Sequence, residues 1–313
     1  MTRPSALVAR SKVMRSVLDE ARRYAAADAN VLISGETGVG KDAVARLMHL
    51  AGSRRKEPFL VVDCPGLPAT LVEAELFGHE RGAFTDATVA RAGRFEAAGR
   101  GTVYLDAVSS LTPDAQGAIL RVVEEKRVTR LGGASAIDVR ARIISSADAN
   151  IEEAVREGTF RTDLYHRLGV LPLVIPPLRE RPEDILPMAR AFARAVADEH
   201  QRPVPSIAAS AEDVLLRYHW PGNVRELRHT LERLIIAGIE GEITATDLPV
   251  HVLEGDDAYL APAGRRRPTL EDVERRYIEL VLREVKGSQT RAADILGISR
   301  KALWEKRKRY GIS

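Results

Sequence analysis

Short apolar runs alternate with helical patterns over roughly the first 250 residues of the chain. The runs lie at residues 31–33, 59–62, 103–105, 143–144 and 171–175. Between them, apolar residues recur three or four positions apart, as on one face of a helix; two such sets are Val44, Leu47, Met48 and Ala51, and Ile119, Val122 and Val123. Strands that alternate with helices predict an α/β fold with a largely parallel sheet.

The pattern changes twice further along the chain. From residue 183 to 239 the apolar residues keep a helical spacing with no strand-like run between them, which predicts an all-helical subdomain. From residue 252 to 268 the periodicity is lost and Gly, Pro, Asp and Ala accumulate, as in a linker. The predicted organisation is an α/β subdomain at 1–175, a helical subdomain at 176–250, a linker at 251–268 and a small all-α domain at 269–313.

Composition narrows the class of protein. Of 313 residues, 45% are hydrophobic and 29% are charged, which excludes fibrous and wholly disordered chains. The single cysteine, Cys64, cannot form an intramolecular disulfide, and the first residues lack the apolar stretch of a signal peptide, so we expect a cytoplasmic location. The most apolar stretch, at residues 168–178, is short and carries three prolines, so we expect no membrane insertion.

Charge is unevenly distributed along the chain. The net charge is only +3, but residues 265–313 carry 14 Lys and Arg against 7 Asp and Glu. A basic module therefore follows a mildly acidic body. A compact basic module is typical of nucleic-acid binding.

The basic module has the pattern of a helix-turn-helix. An amphipathic helix is predicted at residues 269–283, followed by two helices at 289–296 and 300–310 with a turn between them. The predicted core is Ala292, Ala293, Leu296, Ile298 and Leu303. A solvated basic helix is the alternative, but the turn favours binding of double-stranded DNA. The predicted DNA contacts are Arg300, Lys301, Trp304, Lys306 and Arg307.

Residues 35–41 read GETGVGK, which fits the phosphate-binding pattern GxxxxGK between a predicted strand and a predicted helix. Glycines allow successive backbone N–H groups to face phosphate oxygens, and the lysine reaches the terminal phosphates. The predicted nucleotide-binding residues are Gly35, Glu36, Thr37, Gly38, Val39, Gly40 and Lys41. Asp42 follows where a Ser or Thr usually ligates Mg²⁺, so its carboxylate must act through a bridging water or not at all.

A second candidate residue lies at the end of an apolar strand. Residues 101–106 read GTVYLD, and Asp106 at the strand end is predicted to hold Mg²⁺ beside the nucleotide. In isolation this aspartate could equally cap a turn. The preceding phosphate-binding pattern favours the metal role.

Several motifs occur together along the chain. They are GETGVGKD (35–42), ELFGHERGAFTDA (75–87), GRFEAA (93–98), ILRVVEE (119–125), EGTFRTDLYHRL (157–168), PPLRERPEDI (176–185) and WPGNVREL (220–227). Together they resemble the bacterial enhancer-binding proteins, the AAA+ activators of sigma-54 RNA polymerase, and the basic module resembles the Fis-type domains of that family. The resemblance extends from about residue 11 to residue 313 and implies an AAA+ P-loop NTPase with a helical lid.

The resemblance also implies roles for residues outside the phosphate site. Arg161 and Arg167 match arginine fingers that enter the site of a neighbouring subunit in a ring, and Arg225 matches the sensor II arginine of the lid. Planar, permanently charged guanidinium groups suit contact with phosphate. The loop that engages sigma-54 in RNA polymerase corresponds to Gly82, Ala83, Phe84, Thr85, Asp86 and Ala87.

Four positions depart from the pattern of the family. Ala107 stands where a glutamate polarises the attacking water, and losing a general base costs about 10²- to 10⁴-fold in rate. Asp63 and Asp148 each stand where an asparagine is usual, the first beside that glutamate and the second at the sensor I position. Asp86 replaces the glycine of GAFTGA and places a charge at the sigma-54 contact.

These departures predict a DNA-binding regulator that binds ATP but hydrolyses it weakly, with nucleotide promoting homo-oligomers, from dimer to hexamer, on DNA. One alternative is an active sigma-54 activator in which Asp63 supplies the missing carboxylate. Another is a non-catalytic subunit that lends Arg161 and Arg167 to an intact homologue in a mixed ring. Because the AAA+ resemblance begins near residue 11, we expect no regulatory domain ahead of it.

Overall fold

The computed structural model describes residues 8–65, 72–84, 87–239, 241–254, 274–275, 277–278, 281–282 and 289–310. The chain divides into two compact units, Met1–Leu248 and Pro249–Ser313. Most of the predicted linker at 251–268 lies outside the described residues, and its described start, residues 251–254, is helical rather than irregular. Its boundaries stay a prediction.

A five-stranded parallel sheet forms the centre of the first unit, in the order β2-β5-β8-β1-β9. These strands are β1 (Val31–Ser34), β2 (Phe59–Asp63), β5 (Thr102–Asp106), β8 (Arg142–Ala147) and β9 (Leu171–Val174). The short strands are β3 (Gly78–His79), β4 (Arg91–Ala92), β6 (Arg127–Thr129), β7 (Ala136–Asp138), β10 (Ser206–Ile207) and β11 (Glu242–Ile243). The five apolar runs therefore form the sheet, as predicted.

Helices cover both faces of the sheet. The helices of the first unit, including those of the helical subdomain, are α1 (Lys12–Ala25), α2 (Lys41–Ala51), α3 (Val72–Phe77), α4 (Arg94–Ala97), α5 (Pro113–Glu125), α6 (Ile151–Arg156), α7 (Thr162–Leu168), α8 (Pro182–Glu199), α9 (Ala209–Arg217) and α10 (Asn223–Ile236). The second unit contains α11 (Val250–Glu254), α12 (Gln289–Leu296) and α13 (Arg300–Tyr310). Within the described residues, no helix combines the length and the apolar character that crossing a bilayer requires.

Alternation along β5 shows how the sheet divides the core into two layers. Tyr104 faces α1 and α2, in the cluster that contains Met14 and Met48. Val103 and Leu105 face the opposite layer, with α3, α5 and α7. Both faces are covered because successive strand residues point to opposite sides. The strand ends that emerge from these layers carry the candidate site.

The helical subdomain consists mainly of α8, α9 and α10, as predicted, with one exception. Ser206–Ile207 pairs in parallel with Glu242–Ile243, so a two-residue strand interrupts the range expected to be all-helical. A pair of residues is too short to show a period of two. A smaller correction concerns Ala51, which is exposed at the last position of α2 rather than packed on its apolar face.

The second unit has the predicted core. Within the predicted helix at 269–283, the described residues 274–275, 277–278 and 281–282 are helical. Three of them pack with residues of α12 and α13, in a cluster of Ile278, Val281, Leu282, Ala292, Ala293 and Leu303, against which Leu296 and Ile298 are partly buried. Tyr277, by contrast, is exposed.

Candidate nucleotide site and DNA-contacting helix

The phosphate loop, formed by residues 35–41 of the phosphate-binding pattern, connects β1 to α2, and its backbone depends on two left-handed glycines. Gly38 has φ +81° and Gly40 has φ +102°, a backbone region that side chains rarely tolerate. A Cβ atom built on Gly40 would meet no heavy atom within 4 Å. The loop therefore forms an open cradle at the N-terminus of an 11-residue helix, where N–H groups and the helix dipole favour an anion.

Lys41 lies within this loop and is largely buried. Its Nζ atom donates hydrogen bonds to the carbonyl oxygens of Gly35 at 2.6 Å and Glu36 at 3.3 Å. It also lies 3.7 Å from a carboxylate oxygen of Asp148. Burial lowers the pKa of Lys41, and the nearby carboxylates of Asp148 and Asp106 oppose that shift. The ammonium group therefore already has a negative partner in the protein.

Asp106 lies at the end of β5, with two hydroxyl groups on one of its oxygens. Tyr104 donates to Oδ1 at 2.9 Å and Ser146 donates to the same atom at 2.6 Å. No donor among the described residues reaches Oδ2. The next residue, Ala107, has left-handed φ and ψ of 55° and 57°, and its N–H donates to Ser146 Oγ at 2.8 Å.

The two other predicted carboxylates lie at the ends of neighbouring strands. Asp63 is exposed at the end of β2, directly opposite Asp106 in the register of the sheet. Asp148 follows β8, and Ser109 donates to its Oδ2 at 3.1 Å. The sheet thus brings Asp63, Asp106 and Asp148 to one edge. Ala107 adds only a methyl group there.

The donor set at this edge fits a magnesium ion that arrives with a nucleotide. Asp106 offers one carboxylate oxygen beside the phosphate cradle. Across the described part of the chain, no three His, Cys, Asp or Glu side chains converge as a metal cage. Mg²⁺ is commonly held by one or two carboxylates together with phosphate oxygens and water, so a single carboxylate beside the cradle is sufficient.

The lid contacts the phosphate loop directly. A Cβ atom on Gly38 would lie 2.3 Å from the carbonyl oxygen of Gly222, so only glycine allows this approach. Asn223, which is fully buried, donates from Nδ2 to the Thr37 carbonyl oxygen at 3.1 Å and accepts a hydrogen bond from Leu178 N at 2.8 Å. The N–H group of Arg225, the predicted sensor II residue, lies 3.3 Å from the Gly38 carbonyl oxygen.

The residues that hold this junction are not among those predicted from the sequence. Arg179 forms two hydrogen bonds with the Glu36 carboxylate, at 2.6 and 2.8 Å, and Asn223 adds a third at 3.1 Å. The hydrogen bonds from Arg179 lower the pKa of Glu36. Arg181, also buried, donates to the Val39 carbonyl oxygen at 2.9 Å. The side chain of Glu36 is therefore engaged by the lid, so any contact of this residue with phosphate falls to its backbone N–H group.

Each predicted arginine finger forms an ion pair with an acidic side chain of its own chain. Arg161 forms a two-fold contact with Asp163, at 2.8 and 3.0 Å. Arg167 lies 3.1 Å from Glu124 on α5. All four side chains are exposed. Their roles stay a prediction.

The loop matched to sigma-54 contact is partly described. Thr85 and Asp86 lie outside the described residues. At the base of the loop, Gly82 N donates to the Ala87 carbonyl oxygen at 2.8 Å, and the ring of Phe84 packs edge-on against His79 at 4.9 Å. Ala83 lies beside Gly132, which follows β6.

The last helix presents most of the predicted DNA contacts to solvent. The hydroxyl group of Ser299 accepts from Ala302 N at 3.1 Å and caps α13. Arg300, Lys301 and Trp304 are exposed. Lys306 instead forms an ion pair with Glu274.

Arg307 is half-buried, and its Nε atom is buried with no hydrogen-bond partner within the described part of the chain. The Nζ atom of Lys308, a residue outside the predicted DNA contacts, lies 5.4 Å from the centre of the Trp304 ring. DNA contact by these residues stays a prediction.

Three family profiles match most of the chain. The profile of the sigma-54 interaction domain matches residues 7–174, that of the AAA+ ATPase lid domain matches residues 179–263, and that of the Fis family of bacterial regulatory proteins matches residues 269–310. The matched ranges correspond to the sheet with its helices, the helical subdomain and the helix-turn-helix.

Individual relatives match over nearly the whole chain. It is 40% identical over 312 residues to the regulatory protein AtoC of Escherichia coli K12, covering 98% of this chain and 68% of AtoC. It is 38% identical over 311 residues to the nitrogen fixation protein AnfA of Azotobacter vinelandii, covering 99% of this chain and 58% of AnfA. The solved structure of NtrX from Brucella abortus in complex with ATP matches with a TM-score of 0.74 and 34% identity, covering 98% of this chain and 70% of that chain. On this combined evidence the chain belongs to the family of sigma-54-dependent AAA+ transcriptional activators with a Fis-type DNA-binding domain.

Proposed function

We propose that this chain is a DNA-binding transcriptional regulator that binds ATP, hydrolyses it weakly and uses the bound nucleotide to assemble oligomers on DNA. The observation that carries the proposal is a contrast at one edge of the sheet. The groups that bind phosphate are present around Lys41, whereas the position that activates water ends in the methyl group of Ala107. Binding and turnover are thereby separated.

The binding step depends on the phosphate cradle. The N–H groups around Gly38 and Gly40 would bind the phosphate oxygens of ATP, and Lys41 would neutralise the charge of the terminal phosphates. Asp106 would hold Mg²⁺, which supplies charge neutralisation on the phosphate oxygens. The relative NtrX has been solved in complex with ATP, which supports ATP as the ligand.

The hydrolysis step lacks a group that can orient water. A methyl group neither accepts a proton nor forms a hydrogen bond, and general-base catalysis typically contributes about 10²- to 10⁴-fold. Asp63 lies across from Asp106 and is the alternative source of a carboxylate. Asp148 is paired with Lys41 and Ser109, so it competes for the phosphate-binding lysine rather than replacing the lost glutamate.

The proposed assembly step uses the two exposed arginines. Exposed ion pairs contribute little to stability because water screens them, so Arg161 and Arg167 can leave Asp163 and Glu124 at little cost. A neighbouring nucleotide offers stronger, bidentate phosphate partners. Any ligand that binds the oligomer in preference to the monomer shifts the equilibrium towards the oligomer.

The DNA step follows from the exposed basic face of α13. Several DNA-binding units in one oligomer raise affinity for paired sites without new contacts. We expect the affinity for DNA to fall steeply with salt, because phosphate contacts release counterions. Contact with sigma-54 through residues 82–87 is part of the proposal, with Asp86 expected to weaken it.

A phosphate-release assay tests the weak hydrolysis directly. We compare the parent protein with the variant Ala107→Glu combined with Asp63→Asn, and with Lys41→Ala as the binding-deficient control. The double variant should release phosphate faster, by about 10²-fold or more if the missing base is the main defect. Rapid turnover by the parent that Lys41→Ala abolishes would instead support the active activator that uses Asp63.

Assembly is tested by measuring the mass of the protein in solution with and without ATP and Mg²⁺. We expect a larger particle with nucleotide, and no such increase for Arg161→Ala combined with Arg167→Ala. A parent protein whose mass does not respond to nucleotide contradicts the assembly step.

A further inference from the structure

We propose that Tyr104 and Ser146 are positioning residues that hold the Asp106 carboxylate ready for the magnesium ion of the nucleotide. The two hydroxyl groups would therefore set how strongly Mg²⁺ raises the affinity for ATP. This inference rests on the proposed function, because it concerns the same nucleotide site. Neither residue touches the nucleotide in the scheme described above.

Both hydroxyl groups act on a single carboxylate oxygen. Tyr104 Oη lies 2.9 Å and Ser146 Oγ lies 2.6 Å from Asp106 Oδ1. Hydrogen bonds to an ionised acceptor are about twice as strong as neutral ones. Two such bonds fix the rotation of the carboxylate and leave Oδ2 as the oxygen for a further ligand.

Tyr104 is a rigid donor. Its side chain is fully buried and its ring stacks on Phe59, with 6.0 Å between ring centres. Its hydroxyl group donates to Asp106 Oδ1 at 2.9 Å from this fixed position. Because the ring cannot turn freely within the core, the hydroxyl group points at the carboxylate without a loss of side-chain freedom on ligand binding.

Ser146 connects the carboxylate to the backbone that follows it. It is fully buried on β8, and its oxygen accepts the Ala107 N–H at 2.8 Å while its own proton goes to Asp106. The hydroxyl group thus uses its donor and one acceptor position in a defined direction. It also holds Ala107 in its left-handed conformation at the end of β5.

Residues that hydrogen-bond to a metal ligand affect how strongly a protein binds its metal ion. They orient the ligating carboxylate, and their removal typically costs about 10- to 100-fold in metal affinity or activity. Here both groups come from strands of the rigid central sheet. The pair therefore has the placement expected of a support for a metal ligand.

The test compares ATP affinity with saturating Mg²⁺ and with excess EDTA, measured by displacement of a fluorescent nucleotide. The ratio of the two affinities is the contribution of Mg²⁺. The variants are Tyr104→Phe, Ser146→Ala and their combination. The matched control is Ser145→Ala, because that neighbouring buried serine donates to the Val31 carbonyl oxygen at 3.2 Å instead.

We expect the double variant to lose about 10- to 100-fold of the Mg²⁺ contribution, each single variant to lose less, and the Ser145 control to lose none. The affinity in EDTA should stay within about twofold of the parent, because the phosphate loop itself is unchanged. Tyr104→Phe removes one oxygen atom and no carbon, so this variant retains the packing and provides a test even if Ser146→Ala fails to fold.

Three results would overturn the inference. If the folded variants keep the parent's affinity under both conditions, the positioning role is removed; if they lose affinity equally with and without Mg²⁺, the hydroxyl groups support only the fold. A parent that binds ATP independently of Mg²⁺ also overturns the inference but leaves nucleotide binding in place. Failure of the proposed function is distinguishable, since the parent would then bind no ATP under either condition.

Discussion

The ion pair between Lys41 and Asp148 should penalise nucleotides that carry more phosphate charge. The carboxylate lies 3.7 Å from the ammonium group that a terminal phosphate must approach, and Ser109 holds it there. Removing the charge by Asp148→Asn keeps the size of the side chain. We therefore expect this variant to bind ATP more tightly, and to gain more for ATP than for ADP, because ATP adds negative charge close to residue 148.

The size of the effect follows from distance and exposure. Two unit charges 4 Å apart interact by about 1 kcal/mol in bulk water and about 4 kcal/mol near a protein surface. The side chain of Asp148 is 46% exposed, so solvent screening places the effect near the lower figure. About 1 kcal/mol corresponds to roughly a fivefold gain in ATP affinity.

Isothermal titration of ATP and of ADP into the parent and the variant measures this effect. The matched control is Asp138→Asn, which makes the same chemical change in the exposed ion pair with Arg127 at 3.1 Å. The gain for ATP should shrink as salt is raised, because screening weakens exposed charges. A ratio of ATP to ADP affinity that is unchanged, or that falls, refutes the proposed competition for Lys41.

Three further predictions concern the loop, the lid and a buried histidine. Gly38→Ala should abolish ATP binding and lower thermal stability, because the new Cβ atom would lie 2.3 Å from the carbonyl oxygen of Gly222 in the lid. In the control Gly40→Ala the new Cβ atom has no neighbour within 4 Å, so the cost is only the backbone strain of about 1–2 kcal/mol. Asp184→Ala should lower the free energy of unfolding in urea by about 3 kcal/mol or more, because this buried carboxylate accepts three hydrogen bonds from the start of α1, whereas exposed Glu183→Ala should change it little. Burial lowers the pKa of His49 in the folded protein, so the contribution of neutral His49 to stability is complete above its unfolded pKa of about 6.5 and is lost as the pH falls towards its folded pKa. Between pH 7.5 and 5.5 the melting temperature of His49→Asn should therefore drop less than that of the parent. An equal drop would contradict a lowered pKa for His49.

The parts of the fold that could be predicted are those with a local signal. Buried parallel strands are continuous apolar runs, so each of the five strands of the sheet is visible in its own four to six residues. The phosphate loop is visible because its backbone needs glycine at fixed positions, two of which are left-handed in the structure. The core of the helix-turn-helix also has a local signal, because its apolar residues are spaced along two short helices.

The parts that escaped prediction depend on distant pairs. Asn223 contacts Glu36 across 187 positions of the sequence, and Arg179 reaches the same carboxylate across 143. The sequence Pro-Gly-Asn at the start of α10 is typical of a turn, and Asn223 has a left-handed φ of +52°. A turn pattern does not indicate which distant residue the asparagine side chain contacts. The Ser146 hydroxyl group on Asp106 escaped prediction for the same reason, because Ser146 lies on another strand, 40 positions away in the sequence.

The backbone contact between Gly38 and Gly222 has a mechanical consequence. With a lid carbonyl oxygen so close to the phosphate loop, and with Asn223 hydrogen-bonded to the same loop, the lid cannot swing without bending the phosphate loop. The affinity for phosphate and the angle of the lid should therefore change together, because the same contact controls both. In an assembly of such chains, a neighbouring subunit that displaces the lid would change the affinity for the nucleotide without contacting the nucleotide.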